Sequence, residues 1–105
     1  MVNSIDKRQF KELINKEFQN LEIVDVREEG EFKIVRIKNS KLIPMGEIMN
    51  NLNNINWNKK VILVCRSGSR SGYVAQLLDD IGKEVINMEG GIYSLEIDSC
   101  DCLEN

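Results

Sequence analysis

No histidine occurs among the 105 residues. Its absence excludes Cys–His and Ser–His–Asp catalysis, and any metal site built on imidazole. The three cysteines are odd in number, and no apolar signal-peptide core stands at Met1-Val2-Asn3-Ser4-Ile5-Asp6. Both facts argue against a disulfide framework. No apolar run approaches the ~20 residues of a membrane span. Neither sign of charge dominates. Fourteen basic and 17 acidic residues leave −3, which gives no general attraction to nucleic acid. Repeats, linkers and low-complexity segments are missing too. The expectation is one cytoplasmic domain over 1–105, with neither nucleic acid nor membrane as a partner. At 42% hydrophobic and 30% charged, the composition suits a globular chain with one modest core.

What is present concentrates in Val61 to Ser71. Val61-Ile62-Leu63-Val64 reads as a buried strand, since three of the four are β-branched. The run ends at Cys65. Arg66-Ser67-Gly68-Ser69-Arg70-Ser71 reads as a tight loop. From about Ser71, Tyr73, Val74, Leu77, Leu78 and Ile81 recur at helical spacing. A loop entering a helix aims several backbone N–H groups at one spot, where the helix dipole adds positive potential. Gly68 allows the fold-back that aims them. Arg66 and Arg70 add positive charge. A thiol at position 65 is therefore expected to ionise below its usual ~8.5, toward ~7 or lower. The bland alternative is a buried strand-end cysteine acting as a small core hydrophobe.

Around this centre the chain alternates. Asp6 is placed to cap a helix to about Lys16, with Phe10, Leu13, Ile14 and Phe18 on one face. Ile23, Val24 and Val26 mark a short strand. Asp25 inside it and Arg27 at its end are anomalous, because buried charge is costly unless paired. Asp25 reads either as a general acid or base, or as a support that accepts loop hydrogen bonds while Arg27 clamps a neighbouring oxygen. The second is favoured, since no further carboxylate or histidine is visibly arranged with it. Glu28–Arg36 suggests a short helix or turn. Leu42-Ile43-Pro44-Met45 suggests a short strand ended by the only proline. Ile48, Met49, Leu52 and Ile55 suggest a helix over 46–55, weakened by Asn50, Asn51, Asn53 and Asn54. Gly82 suits a helix C′ position. Residues 84–88 read as a strand, Glu89-Gly90-Gly91 as a sharp turn and 92–97 as a last helix. Residues 98–105 read as a loose acidic tail. The fold class is α/β with a mostly parallel sheet, which puts Cys65 at a strand's carboxyl end, where such sheets bind ligands.

Four residues separate Cys65 from Arg70. Phosphatase-like cysteine loops have five, so this cup is tighter and suits one extra sulfur on Cys65, a persulfide, better than a phosphate. Cys65-Arg66-Ser67-Gly68-Ser69-Arg70-Ser71 resembles the active-site loop of a single-domain rhodanese. Ile23-Val24-Asp25-Val26-Arg27 with Glu31-Phe32, Leu42-Ile43-Pro44, Ala75, Leu78 and Gly82 of the post-loop helix, and Glu89-Gly90-Gly91 extend the resemblance over about residues 4–97. The resemblance implies a rhodanese-like fold, with helices on both faces of the sheet. It also implies sulfurtransfer. Cys65 would take the outer sulfur of a thiosulfate-like donor as a persulfide, then yield it to cyanide, a thiol or a protein cysteine. Arg70 and Arg66 would bind the donor's anionic end. The backbone of Ser67, Gly68, Ser69 and Arg70 would hold the persulfide. Ser69 and Ser71 hydroxyls would add donors or cap the helix. Asp25 and Arg27 would be supports. No cofactor and no metal is implied, and the chain is expected as a monomer or weak homodimer. Two departures stand out. The family often carries Gly-His-Ile where Ile34-Val35-Arg36-Ile37 runs here, and the aromatic after Gly-Gly is at best Tyr93.

Three alternatives remain. A phosphatase or arsenate-reductase-like enzyme would share the cysteine loop. A non-catalytic sulfur carrier or interaction module would share Cys65. Cys100-Asp101-Cys102 could form a resolving pair for Cys65 or half of a soft-metal site, or be an incidental reduced pair.

Overall fold

Five strands form one sheet in a computed structural model that describes residues 2–105. They are β1 (Asn3–Ile5), β2 (Leu21–Asp25), β4 (Lys41–Leu42), β5 (Lys60–Val64) and β6 (Ile86–Met88). Their spatial order is β1-β6-β5-β2-β4 and every pairing is parallel. Helices α1 (Lys7–Glu17), α2 (Glu29–Ile34), α3 (Ser69–Asp80) and α4 (Gly91–Ile97) connect or follow them. Two further strands, β3 (Arg36–Ile37) and β7 (Leu103–Glu104), form a separate antiparallel pair.

The strand period of two sorts the core. In β5 and the residue after it, Val61, Leu63 and Cys65 join a cluster with Val74, Ala75 and Leu78 of α3. Ile62 and Val64 join the opposite cluster, with Phe10 of α1 and Ile92 and Leu95 of α4. Both faces of the sheet are thus covered, which is why β5 reads as a continuous apolar run. The chain leaves β2 toward β4 on one side and leaves β5 toward β6 on the other. The carboxyl ends of β2 and β5 therefore flank a topological switch point, the crevice where open α/β sheets bind ligands.

Local chemistry explains most boundaries. Asp6 caps α1 by accepting the Gln9 N–H at 2.8 Å, while Gln9 Oε1 accepts the Asp6 N–H at 2.9 Å. Gly68 sits at φ 99° and starts α3 at Ser69, two residues before the periodic apolar pattern begins. Gly82, at φ 85°, ends it as the expected C′ residue.

Some expectations are corrected. Residues 46–55 form two 3₁₀ segments, Met45–Asn50 and Leu52–Asn54, in place of an α-helix. Asn51 spends its side-chain amide on the Glu47 carbonyl, the local competition that makes asparagine a poor helix former. The strand expected over 42–45 is only Lys41–Leu42, and that over 84–88 only Ile86–Met88. Phe18 falls beyond α1, in a 3₁₀ turn, and is exposed. Where a loose tail is expected, β7 pairs with β3, the Lys38 N–H donates to the Cys102 carbonyl at 2.7 Å, and Arg36 bonds Glu104 at 3.0 Å.

Candidate active site

The turn from β5 into α3 wraps its own first side chain. Cys65 is fully buried, yet donors converge on its sulfur. The Gly68 N–H donates to Sγ at 3.0 Å and the buried Ser71 hydroxyl at 3.4 Å. The Ser67 and Ser71 backbone amides also favour its thiolate form. Burial alone would push the thiol pKa up. The Ser71 hydroxyl and the three amides outweigh it, and the net shift is downward from the ordinary 9.0. Cys65 thus packs in the core cluster while its sulfur accepts the Gly68 N–H.

The loop's outer side is clamped by α4. Ile92 N–H donates to the Cys65 carbonyl at 2.9 Å and Tyr93 N–H to the Arg66 carbonyl at 3.0 Å. The first turn of α4 can come this close only because residue 91 lacks a side chain. A Cβ on Gly91 would lie 2.4 Å from both of those carbonyl oxygens. Gly90 and Gly91 both have positive φ, as a sharp turn at this point requires. A residue the sequence reading passed over also braces the loop. Buried Asn87 donates from Nδ2 to the Gly68 carbonyl at 3.4 Å, and no local pattern in its strand marks it.

The two loop arginines are not free. Arg70 forms a fork with Glu31 of α2, at 2.7 and 2.9 Å. This holds the Glu31 carboxyl down at about 2 and raises Arg70 above the usual arginine range. Arg66 lies over the Tyr93 ring, 5.2 Å from its centre, with Glu96 Oε1 3.6 Å away. Glu31 and Glu96 are the partners that sequence reading did not anticipate. Glu31 was visible only as part of the segment after Asp-Val-Arg. Ser67 and Ser69 are exposed, their hydroxyls 3.4 Å apart.

Asp25 and Arg27, expected as supports, are ion-paired inside the protein. Both are buried and joined by a bidentate pair, with Nη2 to Oδ2 at 2.9 Å and Nε to Oδ1 at 3.0 Å. Asp25 Oδ1 also accepts the Arg27 N–H, and Arg27 Nη2 reaches the Val35 carbonyl at 2.6 Å. All of these bonds are made inside the protein.

A family model described as the Rhodanese-like domain matches residues 6–97. The chain belongs to the rhodanese-like family. YtwF of Bacillus subtilis (strain 168), provisionally named a sulfurtransferase, is 35% identical over 78 residues, covering 74% of this chain and 76% of YtwF. YrkF of the same organism, provisionally named a sulfur carrier protein, is 33% identical over 92 residues. That match covers 87% of this chain and 49% of YrkF, so the chain spans about half of that relative. Among solved structures, a rhodanese-like domain protein from Staphylococcus aureus superposes with a TM-score of 0.82 at 36% identity, covering 98% of this chain and 97% of that one. SSP1007 of Staphylococcus saprophyticus gives 0.84 at 34%, covering 99% and 100%.

The segment Ile34-Val35-Arg36-Ile37, where the resemblance breaks off, makes contacts through its backbone. The Val35 carbonyl receives Arg27, and Arg36–Ile37 is the strand that pairs with β7. Cys100 and Cys102, allowed above as an incidental reduced pair, are disulfide-bonded to each other. They pack against the cluster on the α1 and α4 face, whereas Cys65 belongs to the cluster on the α3 face. The sheet separates them, so they are not a resolving pair for Cys65 in this arrangement. No group of three or more His, Cys, Asp or Glu among the described residues could hold a metal ion, and no helix among them is long and apolar enough to cross a membrane.

Proposed function

We propose that this protein is a sulfurtransferase that carries sulfane sulfur as a persulfide on Cys65. One observation carries the reading: the Gly68 N–H and the Ser71 hydroxyl converge on Cys65 Sγ, where the Ser67 and Ser71 amides favour the thiolate as well. Such a nest stabilises a thiolate. It would equally stabilise the terminal sulfur of a persulfide, as an oxyanion hole holds its oxygen. Thiolate Sγ would attack the outer sulfur of the donor. The donor's S–S bond breaks and its electron pair leaves with the departing sulfite or thiolate. The persulfide then gives that outer sulfur to cyanide, a thiol or a protein cysteine, and the Cys65 thiolate returns. Family membership and the names given to YtwF and YrkF support sulfur handling of this kind. The short loop between Cys65 and Arg70 weighs against a phosphatase reading.

The test is intact-mass analysis after treatment with thiosulfate or a persulfide donor. Wild type should gain one sulfur atom and Cys65→Ser none. A wild-type mass that never changes with either donor defeats the proposal. Multiple turnover to thiocyanate separates an enzyme from a stoichiometric carrier.

A further inference from the structure

Both loop arginines face carboxylates. Glu31 grips Arg70 through two parallel bonds of 2.7 and 2.9 Å, and its Oε1 also accepts the Glu28 N–H at 3.2 Å, which locks it to α2. Glu96 stands 3.6 Å from Arg66. Two cations and two anions thus cancel around the cup. Arg70 is close enough to Cys65 to feel the thiolate's charge, so its neutralisation matters at the sulfur. A dianion approaching Cys65 gains little from the rim. A singly charged donor loses little, because the amide nest still receives its terminal sulfur.

We propose that Glu31 is a specificity-determining positioning residue: by occupying Arg70 it tunes the cup toward singly charged persulfides, R–S–S⁻, over dianionic thiosulfate. This rests on Cys65 as the sulfur carrier. The step is Cys65–S⁻ plus R–S–S⁻ giving Cys65–S–S⁻ plus R–S⁻. The donor's S–S bond breaks, a new one forms to Sγ, the thiolate leaves with the electron pair, and no outside oxidant or reductant enters.

The experiment compares second-order rate constants for loading Cys65, read by intact mass, with thiosulfate and with cysteine persulfide (net charge −1 once its ammonium and carboxylate cancel). Wild type, Glu31→Gln, Glu31→Asp and Glu96→Gln are compared. Gln keeps an oxygen for the Glu28 N–H and removes the charge. Glu31→Gln should raise the ratio of thiosulfate to persulfide rates roughly tenfold, since one freed positive charge meets one extra negative charge. The gain should shrink as added salt shortens the screening length. Glu31→Asp should stay nearest wild type, and Glu96→Gln should move the ratio the same way by less. A ratio unchanged in Glu31→Gln, or both donors altered by the same factor, overturns the role of Glu31 while loading itself persists. Should Glu31→Gln fail to fold, Glu31→Ala is read in its place, and an unmoved ratio there overturns it. Loading of wild type by neither donor overturns the sulfur-carrier reading and this inference with it.

Discussion

At Cys65, burial and hydrogen bonding pull the thiol in opposite directions, and hydrogen bonding prevails. The Ser71 hydroxyl contributes most among the bonds that favour the thiolate. Ser71→Ala should therefore move the pH profile of alkylation upward and slow loading near neutral pH by about tenfold, the scale of one hydrogen bond to a charged group. Iodoacetamide rates across pH measure it, and an unmoved profile would assign the shift to the amides alone. In wild type the thiolate is the favoured form from a pH below the ordinary 9.0 upward, so reactivity should level off below that value. Cys65, Gly68 and the loop serines were readable from sequence, because strand, glycine and helix are adjacent in the chain. Glu31 as the partner of Arg70, 39 residues away, was not.

Among the elements, α2 and the end of β2 act together. Asp25 and Arg27 close the end of β2, Arg27 reaches Val35 beyond α2, and Glu31 on α2 reaches α3. Arg27→Met should cost about 3–5 kcal/mol, because it leaves the Asp25 carboxylate buried without a partner. Denaturant unfolding measures it. A loss below about 1 kcal/mol would show that water reaches Asp25. The β3–β7 pair is a second such unit, with the Cys100–Cys102 disulfide just before β7. Closing so short a loop contributes only about 1–2 kcal/mol in the chain-entropy account. The Cys100→Ser, Cys102→Ser double variant should lose that much stability and still load Cys65, as thermal unfolding and intact mass would show. Periodicity marked α1 and α3 because each buries one regular face, and an unbroken apolar run marked β5 because it is buried on both. It could not mark β3 and β7. Two-residue strands carry no period, and their pairing depends on the tail returning to the α1 and α4 face.

For the whole molecule, acid is the informative variable. Glu31 folds with a pKa of about 2 against an ordinary 4.5. Its contribution is complete above 4.5 and fades as pH falls toward 2. Asp98, held between Lys11 and Lys7, and Glu17, bonded by Asn20 and Lys60, are lowered as well and fade in the same direction. Stability should thus decline through this acid window, and less steeply in Glu31→Gln. Urea midpoints against pH measure the difference, and parallel curves would mean that the fork adds nothing to folding.

By itself the sequence determined the α/β class, the strand–loop–helix centred on Cys65 and the spare turn at Gly90-Gly91. Each is written in neighbouring residues, through apolar period, glycine placement and helix-end chemistry. Only the tertiary structure decided that Glu31 neutralises Arg70, that α4 lies against the loop carbonyls at Gly91, and that the sheet stands between Cys65 and the Cys100–Cys102 pair. Those outcomes follow from the strand order, β5 beside β2 and β6, which makes neighbours of segments far apart in the chain. Short-range pattern holds no record of which distant partner a side chain will meet.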